Sequence, residues 1–268
     1  MPLPVTVVGV PGLTDRLGRF AAPSVAPAAA GARVVVVGGP VAERVARAVE
    51  AVEGGAHAFL LWPPAETARG AGVLADRAEE AGVEVGVARP LGASAALAGV
   101  PAGWAARLVT LALVARLDGP LARSGWPTLL AGALDVCTSL TAARAVSRLD
   151  AVAERDRGAL RAVALAARFD NGAHAQATVR FADHAAADEV VLYASRPGSC
   201  VEARSLAGPL CVEAEGRTAP VAPPASDPEA AEVAAFVAAV AAGRPAPYAL
   251  DDALAALRLA EEAQERLR

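Results

Sequence analysis

The sequence predicts an α/β domain with a parallel sheet, followed by an α+β domain built on an open, mostly antiparallel sheet. Three observations support this order. Short β-branched runs alternate with helix-like stretches as far as Pro90, which is typical of a parallel sheet covered on both faces. Beyond that residue, strand-like stretches follow one another directly, as they do in antiparallel sheets. Two amphipathic helical stretches close the chain, at residues 228–242 and 251–267.

The composition limits the classes of function. A chain of 268 residues can form one large domain or two modest ones, and 54% hydrophobic against 20% charged residues excludes a disordered protein. The net charge is -4 and no basic stripe occurs, so we expect neither nucleic acid nor a membrane as partner. All 25 basic residues are arginine, which excludes Schiff-base and lysine acid–base chemistry.

The cysteines and the N-terminus indicate a cytoplasmic protein. Cys137, Cys200 and Cys211 are odd in number and form no CxxC pair, so we expect neither a disulfide framework nor a metal site. The first residues lack a charged region followed by a long apolar core. We therefore predict no signal peptide and no transmembrane helix.

The first part of the chain predicts four strands and two helices. The strands are expected at residues 4–10, 32–37, 58–62 and 83–87, and the helices at residues 41–52 and 66–81. Gly82 is the expected C-cap of the second helix. Residues 13–31 form the weak crossover, because Pro23 and Pro27 disfavour a full helix.

The second part predicts consecutive strands. They are expected at residues 104–116, 145–155, 159–170, 173–181, 190–194 and 211–215. Asn171-Gly172 predicts a tight hairpin turn, and Asp227 an N-cap after a Pro/Ala-rich connector at residues 218–227. We therefore expect a first domain at residues 1–92 and a second at residues 93–250. The terminal helix, residues 251–268, could pack back on the first.

Three segments resemble the Gfo/Idh/MocA family of oxidoreductases. Residues 232–263 resemble its closing pair of helices, which are joined by a Gly-Arg-x-Pro turn. Residues 168–173, RFDNGA, resemble its "RFENGA" hairpin, and residues 60–91 resemble its strand-Pro-helix-strand run into "EKPL". The resemblance implies a Rossmann-like N-terminal domain, a second open-sheet domain and NAD(P)-dependent hydride transfer.

The phosphate-binding turn that the resemblance implies is altered. A Rossmann turn uses glycines so that the backbone can approach a pyrophosphate at a helix N-terminus. Residues 9–14 read GVPGLT, with Pro11 in place of the second glycine and Thr14 in place of the third. Proline removes an N–H and fixes φ. Gly9 and Gly12 remain as candidate cofactor contacts, and the alternative is an ordinary strand-to-loop turn.

The ribose contact is also missing from the expected place. Dinucleotide binders usually carry Asp or Glu after the second strand. Here Gly-Gly-Pro at residues 38–40 follows the predicted second strand, and Glu43 and Arg44 are interpreted as a solvated helix face. Pro63 is a further candidate cofactor contact if a dinucleotide binds.

The candidate catalytic residues are Arg89, Asp135 and Ser139. In the family a lysine precedes the proline of "EKP", where Arg89 stands here, and Pro90 is expected to keep an unusual peptide geometry. Arginine stays protonated, so Arg89 could hold an anion or a carbonyl oxygen, or be a plain surface residue. In the family's D-x-G-x-H segment, Asp135 is kept and Ser139 takes the histidine position, on the same helix face.

No other residue offers obvious acid–base chemistry. His57, His174 and His184 are interpreted as structural, and Cys137, which has no adjacent histidine, as a packing residue. The stretch between Pro90 and the helix with Asp135 is shorter than in the family, which removes part of its substrate-binding wall.

Two functions from different classes remain. The first is a family member that has lost nicotinamide-dependent hydride transfer, needs no cofactor, and acts as a binding or partner subunit or as a cofactor-independent catalyst on a small molecule. The alternative is an NAD(P)-dependent oxidoreductase acting on a sugar, a cyclitol or an imine. Because an open sheet with an apolar outer face favours a partner, we expect a homodimer, or a heterodimer with a homologue, through the C-terminal sheet.

Overall fold

The chain forms two compact units. The computed structural model describes residues 3–19, 25–27, 33–92, 97, 100, 103–118, 125–182, 188–204, 210–214, 217–220 and 227–268. The first unit comprises Met1–Arg89 and Ala225–Ala255, and the second comprises Pro90–Pro224 and Ala256–Arg268. Residues 225–250 therefore group with the first unit, whereas the sequence prediction assigned them to the second domain.

A five-stranded parallel sheet forms the first unit. Its strands are β1 (Leu3–Val8), β2 (Val25–Pro27), β3 (Val34–Val37), β4 (His57–Leu60) and β5 (Val85–Val87), in the order β2-β1-β3-β4-β5. Every pairing is parallel, which confirms the predicted sheet. Strand β2 was not predicted and lies in the crossover at residues 13–31. The chain leaves β1 toward β2 on one side and returns to β3 on the other, so the topological switch point lies between β1 and β3.

The helices begin and end where local chemistry favours it. In the described part of the chain they are α1 (Leu13–Arg19), α2 (Val41–Glu53), α3 (Ala68–Ala81), α4 (Gly125–Thr141), α5 (Pro228–Ala241) and α6 (Leu250–Arg266). The Thr67 hydroxyl accepts a hydrogen bond from the Gly70 N–H at the start of α3, and Gly82 ends that helix with φ 64°. Asp227 accepts from the Ala230 N–H and caps α5. The predicted caps at Gly82 and Asp227 are confirmed.

The core of the first unit centres on Phe236 of α5. Its ring is fully buried and lies 5.4 Å, centroid to centroid, from the ring of Phe59 in β4. Gly86 of β5 makes room for it, because a Cβ at that position would lie 2.6 Å from the Phe236 ring. Val34 and Val36 of β3 belong to the same cluster. Helix α5 is therefore anchored to the sheet by one aromatic side chain.

An eight-stranded mixed sheet forms the second unit. Its strands are β6 (Leu108–Arg116), β7 (Val146–Asp156), β8 (Ala159–Phe169), β9 (His174–Ala182), β10 (Glu189–Arg196), β11 (Ser199–Ala203), β12 (Leu210–Ala214) and β13 (Arg217–Pro220). The order is β13-β12-β11-β10-β6-β9-β8-β7, with β6–β9 parallel and the other pairs antiparallel. The predicted open, mostly antiparallel sheet is confirmed. Strands β11 and β13 were not predicted.

Local signals set the turns and faces of this sheet. Gly172, with φ 78°, closes the predicted hairpin, where the Phe169 N–H donates to the Ala173 carbonyl at 2.9 Å. Helix α4 packs on β6 and β9. Val109 and Leu111 of β6 lie on the covered face and are buried, whereas Leu108, on the opposite face, is exposed. The opposite face of the sheet carries the exposed residues of each strand. No described helix is both long and apolar enough to cross a membrane.

Candidate functional site

The carboxyl ends of β1 and β3 touch through glycine backbone. Gly9 has φ 74°, and a Cβ there would lie 2.8 Å from the Gly38 carbonyl oxygen. A Cβ on Gly38 would lie 2.3 Å from a methyl group of Val10. Glycine is therefore required at both strand ends. The candidate cofactor contact Gly9 is packed against its neighbouring strand end.

The turn after β1 leads into a short helix. Gly12 has φ 73°, and nothing described lies within 4 Å of its Cβ position. The Arg16 N–H donates to the Gly12 carbonyl at 3.1 Å, and α1 ends after seven residues. Pro11, in the preceding turn, has no N–H to offer a phosphate. Both predicted glycine contacts are exposed, but only at Gly12 is the space around the Cβ position empty.

The expected ribose position needs a correction. The sequence prediction took residues 38–40 as following the second strand, but they follow β3, on the opposite side of β1 from β2. The second strand is β2 (Val25–Pro27), which the sequence did not predict because it has only three residues. Residues 28–32, which follow β2 and lie outside the described residues, read Ala-Ala-Ala-Gly-Ala. No carboxylate follows the second strand under either assignment.

Arg44 is buried, which corrects its interpretation as a solvated residue. The residue is 9% exposed, and its guanidinium donates to the carbonyl oxygens of Gly39 at 2.8 and 3.0 Å, Leu61 at 2.9 Å and Pro63 at 2.6 Å. Burial lowers the pKa of Arg44 from its ordinary value. The side chain ties the loop after β3 to the loop after β4. It also takes the carbonyl of Pro63, one of the candidate cofactor contacts.

The unusual peptide geometry lies elsewhere than expected. Among the described residues, the cis peptide bond joins Trp62 to Pro63, after β4, and not Arg89 to Pro90. Pro90 instead begins a 3-10 turn that ends at Gly92. The resemblance to "EKPL" had placed this feature one strand too late in the chain.

Arg89 is a fixed cation at the end of β5. Its guanidinium carbon lies 4.5 Å from the centroid of the Tyr248 ring, and its backbone N–H donates to Glu232 Oε2 at 3.0 Å. The Val87 N–H donates to the Tyr248 carbonyl at 3.1 Å, which holds the aromatic residue beside the strand. The structure thus gives Arg89 defined partners, and a cation–π contact of this kind orients the charge.

Asp135 and Ser139 lie on the second unit, in α4. The helix that the sequence predicted here is present, and Gly132, Asp135 and Ser139 are spaced to share one face. Pro90 and Leu91 pack on that face, since a Cβ on Gly132 would lie 3.0 Å from each. Asp135 is only 5% exposed. The segment that follows Arg89 in the chain is therefore held one turn from Asp135.

The remaining reactive side chains have structural environments. Burial, reinforced by the charge of Asp135, raises the pKa of Cys137 to about 12, so its thiol is not a nucleophile at neutral pH. His57 Nδ1 accepts from the Glu84 N–H at 2.9 Å, and burial lowers the pKa of this imidazole. His174 is exposed on β9. His184 lies outside the described residues.

Solved structures of known proteins share the fold described above. No family model and no curated protein matches the sequence. Among solved structures, UDP-N-acetylglucosamine 3-dehydrogenase from Acidithiobacillus ferrooxidans superposes with a TM-score of 0.82 at 17% identity, covering 100% of this chain and 98% of that one. Biliverdin reductase from Synechocystis sp. PCC 6803, in complex with biliverdin and NADP+, gives 0.74 at 15% identity, with coverage of 100% and 99%.

A third structure carries the family name. A Gfo/Idh/MocA family oxidoreductase from Vibrio cholerae gives a TM-score of 0.73 at 16% identity, covering 98% of this chain and 97% of that one. The chain has the Gfo/Idh/MocA fold. On this fold, Gly9, Pro63 and Arg89 lie at the carboxyl ends of the parallel strands β1, β4 and β5, where open α/β sheets bind ligands.

Sequence reasoning missed the side chains that fill the edge of the Gfo/Idh/MocA-type parallel sheet. Arg44, Trp62 and Tyr248 all take part in it, although the resemblance to the family gave none of them a role. Charged residues at helical spacing, such as Arg44, look like a solvated face until the neighbouring loops are placed. No sequence signal could have found them.

Proposed function

We propose that this protein uses the Gfo/Idh/MocA fold to bind a small molecule without carrying out nicotinamide-dependent hydride transfer. It would act as a binding or partner subunit, or as a catalyst that needs no cofactor. One observation carries the proposal: the positions of the family's lysine and histidine hold Arg89 and Ser139. An arginine side chain stays protonated and a serine hydroxyl stays neutral near pH 7, so neither replaces the proton-transfer group that hydride transfer to a carbonyl needs.

The surroundings of Arg89 support this reading. The guanidinium rests on Tyr248 and the adjoining N–H is taken by Glu232, so the charge is positioned to hold a ligand rather than to move a proton. The turn after β1 supports it independently. Pro11 stands where the family's turn has its second glycine, and it offers no N–H to a pyrophosphate.

A titration with NADH and with NADPH tests the proposal. We expect no saturable heat by isothermal titration calorimetry, because neither the turn nor the residues after β2 offer the usual contacts. A dehydrogenase of the same fold serves as the positive control under identical conditions. A dissociation constant in the micromolar range for either nucleotide would overturn the proposal.

The second candidate is an NAD(P)-dependent oxidoreductase acting on a sugar, a cyclitol or an imine. It is favoured by the solved structures, which include a sugar-nucleotide dehydrogenase and a reductase in complex with NADP+. Asp135, which the family pattern also carries, is consistent with it. The same titration separates the candidates, because only this one requires the nucleotide to bind.

We propose that the exposed sheet face of the second unit pairs with a second copy of this chain. One row of cross-strand neighbours on its exposed face has a carboxylate at one end and two arginines at the other. In order across the strands, the row is Glu213, Cys200, Ser195, Leu108, His174, Arg168 and Arg148. Two sheets stacked face to face about a twofold axis parallel to the strands would place Glu213 of each copy opposite the arginines of the other.

An apolar row lies on the same face, separated from the charged row by a polar row that contains Tyr193, Thr110 and Gln176. It runs from Val191 through Ala112, Thr178 and Ala164 to Val152. Val191 is 50% exposed and Val152 is 69% exposed, so apolar surface remains open at both ends. Self-complementary charge and apolar surface on one face favour an isologous dimer.

Charge reversal tests this pairing. Glu213→Arg and Arg168→Glu should each raise the dimer dissociation constant about tenfold or more, because like charges then face each other. The double variant should restore the wild-type value, measured by sedimentation velocity across a concentration series. Glu53→Arg, at an exposed position of α2, is the matched control and should change nothing. A wild-type chain that stays monomeric at micromolar concentration would contradict the homodimer and favour a homologue as partner.

A further inference from the structure

His57 links the amino ends of three neighbouring strands of the parallel sheet. It begins β4, and its backbone N–H donates to the Arg33 carbonyl at 2.9 Å, beside the start of β3. Its ring Nδ1 accepts from the Glu84 N–H at 2.9 Å, beside the start of β5. A ring nitrogen that accepts a hydrogen bond carries no proton, so this contact requires the neutral imidazole. One proton on Nδ1 therefore breaks the contact between the ring and Glu84.

Glu84 extends this contact to residues 246–249, which lie along β5. Its Oε2 accepts from the Ala246 N–H at 3.4 Å. Further along the strand, the Val87 N–H donates to the Tyr248 carbonyl at 3.1 Å. The backbone of Glu84 is thus held by the His57 ring, while its carboxylate holds the beginning of the segment that carries Tyr248.

Protonation of the ring also affects the carboxylate. The charges that act on the imidazole are those of Arg33 and Glu84, which precede the two strands that flank β4. A protonated Nδ1 is a cationic donor close to the Glu84 carboxylate, and opposite charges attract. The ring then competes with the Ala246 N–H for that carboxylate, whose present contact is long at 3.4 Å. A single proton therefore weakens two hydrogen bonds of Glu84.

The pKa of His57 sets the direction of this effect. Burial, together with the charge of Arg33, lowers the pKa of the imidazole, and the charge of Glu84 only partly opposes this. The folded chain therefore binds the proton less readily than the unfolded chain, in which histidine titrates near pH 6.5. The stabilisation by this contact is complete above that pH and is lost as the pH falls through the lowered pKa.

We propose that His57 and Glu84 form an acid-sensitive latch that holds residues 246–249 on β5 and opens when the ring is protonated. The guanidinium carbon of Arg89 lies 4.5 Å from the centroid of the Tyr248 ring, so opening loosens the support of this cation. Acid would then favour release of a ligand held by Arg89. This last consequence rests on the proposed function, whereas the latch itself does not.

Amide hydrogen exchange of the full-length protein without ligand, followed by nuclear magnetic resonance, tests the latch. Protection factors are compared at about pH 7.5 and about pH 5, on either side of the histidine transition. We expect the amides of Glu84 and Ala246 to lose protection about tenfold or more at the lower pH, because each loses its acceptor. The amide of Val36, in the buried β3, should keep its protection. Equal protection of Glu84 and Ala246 at both pH values would overturn the proposal.

Two variants at position 57 assign the effect to this ring. His57→Asn supplies a carbonyl oxygen that accepts a hydrogen bond but does not titrate, so protection should be high at both pH values. His57→Phe removes the acceptor, so protection should be low at both. His174→Asn is the matched control, because His174 is exposed on β9 of the second unit, and this variant should behave as wild type.

The variants also define a contrary result. Circular dichroism checks that each variant folds, and wild type with His57→Asn decides the matter even if His57→Phe does not fold. Should His57→Asn lose protection in acid as the wild type does, another group is responsible and the latch is rejected. The outcome is separable from that of the proposed function, since binding of a nicotinamide nucleotide would overturn that function and leave the latch unaffected.

Discussion

Replacing Phe236 with alanine is expected to lower the free energy of unfolding by about 3–5 kcal/mol. The ring is fully buried, lies 5.4 Å from the Phe59 ring, centroid to centroid, and fills the space above Gly86. Its removal therefore leaves a cavity that the sheet cannot close. Urea denaturation followed by circular dichroism measures the loss. Phe236→Leu, which keeps most of the apolar volume, should cost clearly less. A loss below about 1 kcal/mol for the alanine variant would mean that α5 is not anchored by this ring.

Replacing Arg44 with methionine should cost about 3 kcal/mol of stability. The variant removes four hydrogen bonds and leaves the carbonyls of Gly39, Leu61 and Pro63 without their donor. Arg44→Lys should fall between wild type and Arg44→Met, because one ammonium cannot reach all three acceptors. The measurement is chemical denaturation at neutral pH.

The neighbouring arginine provides the control for that experiment. Arg47 lies one turn along α2, is more exposed, and pairs with Glu43 among the described residues. Arg47→Met should change the unfolding free energy by less than about 1 kcal/mol, as expected for an exposed ion pair. Equal losses for the two variants would contradict the distinction between a buried and a surface guanidinium.

The regular elements could be predicted because their signals are local. The Val34–Val37 run, the Gly82 end of α3 and the Asn171-Gly172 turn each depend on a few adjacent residues. Strand β2 could not be predicted in this way. It has three residues and contains a proline, and pairing with β1 is what makes it a strand.

The edge of the parallel sheet could be predicted only in part. The resemblance to a family located Arg89, since it stands in a motif. It gave no indication of Arg44, whose partners lie in two loops that only the folded chain brings together. The same holds for Arg89 and Tyr248, which are distant in sequence and meet across the last strand of that sheet.

The parallel pairing of β6 with β9 has a consequence for how the protein is made. Strand β6 is synthesised before β7 and β8, yet both of its neighbours, β9 and β10, come later in the chain. Strands β7, β8 and β9 can pair through local hairpins while β6 is still unpaired. A ribosome-bound chain arrested before β9 would therefore expose an unpaired apolar strand, at the stage when chaperones would be needed most.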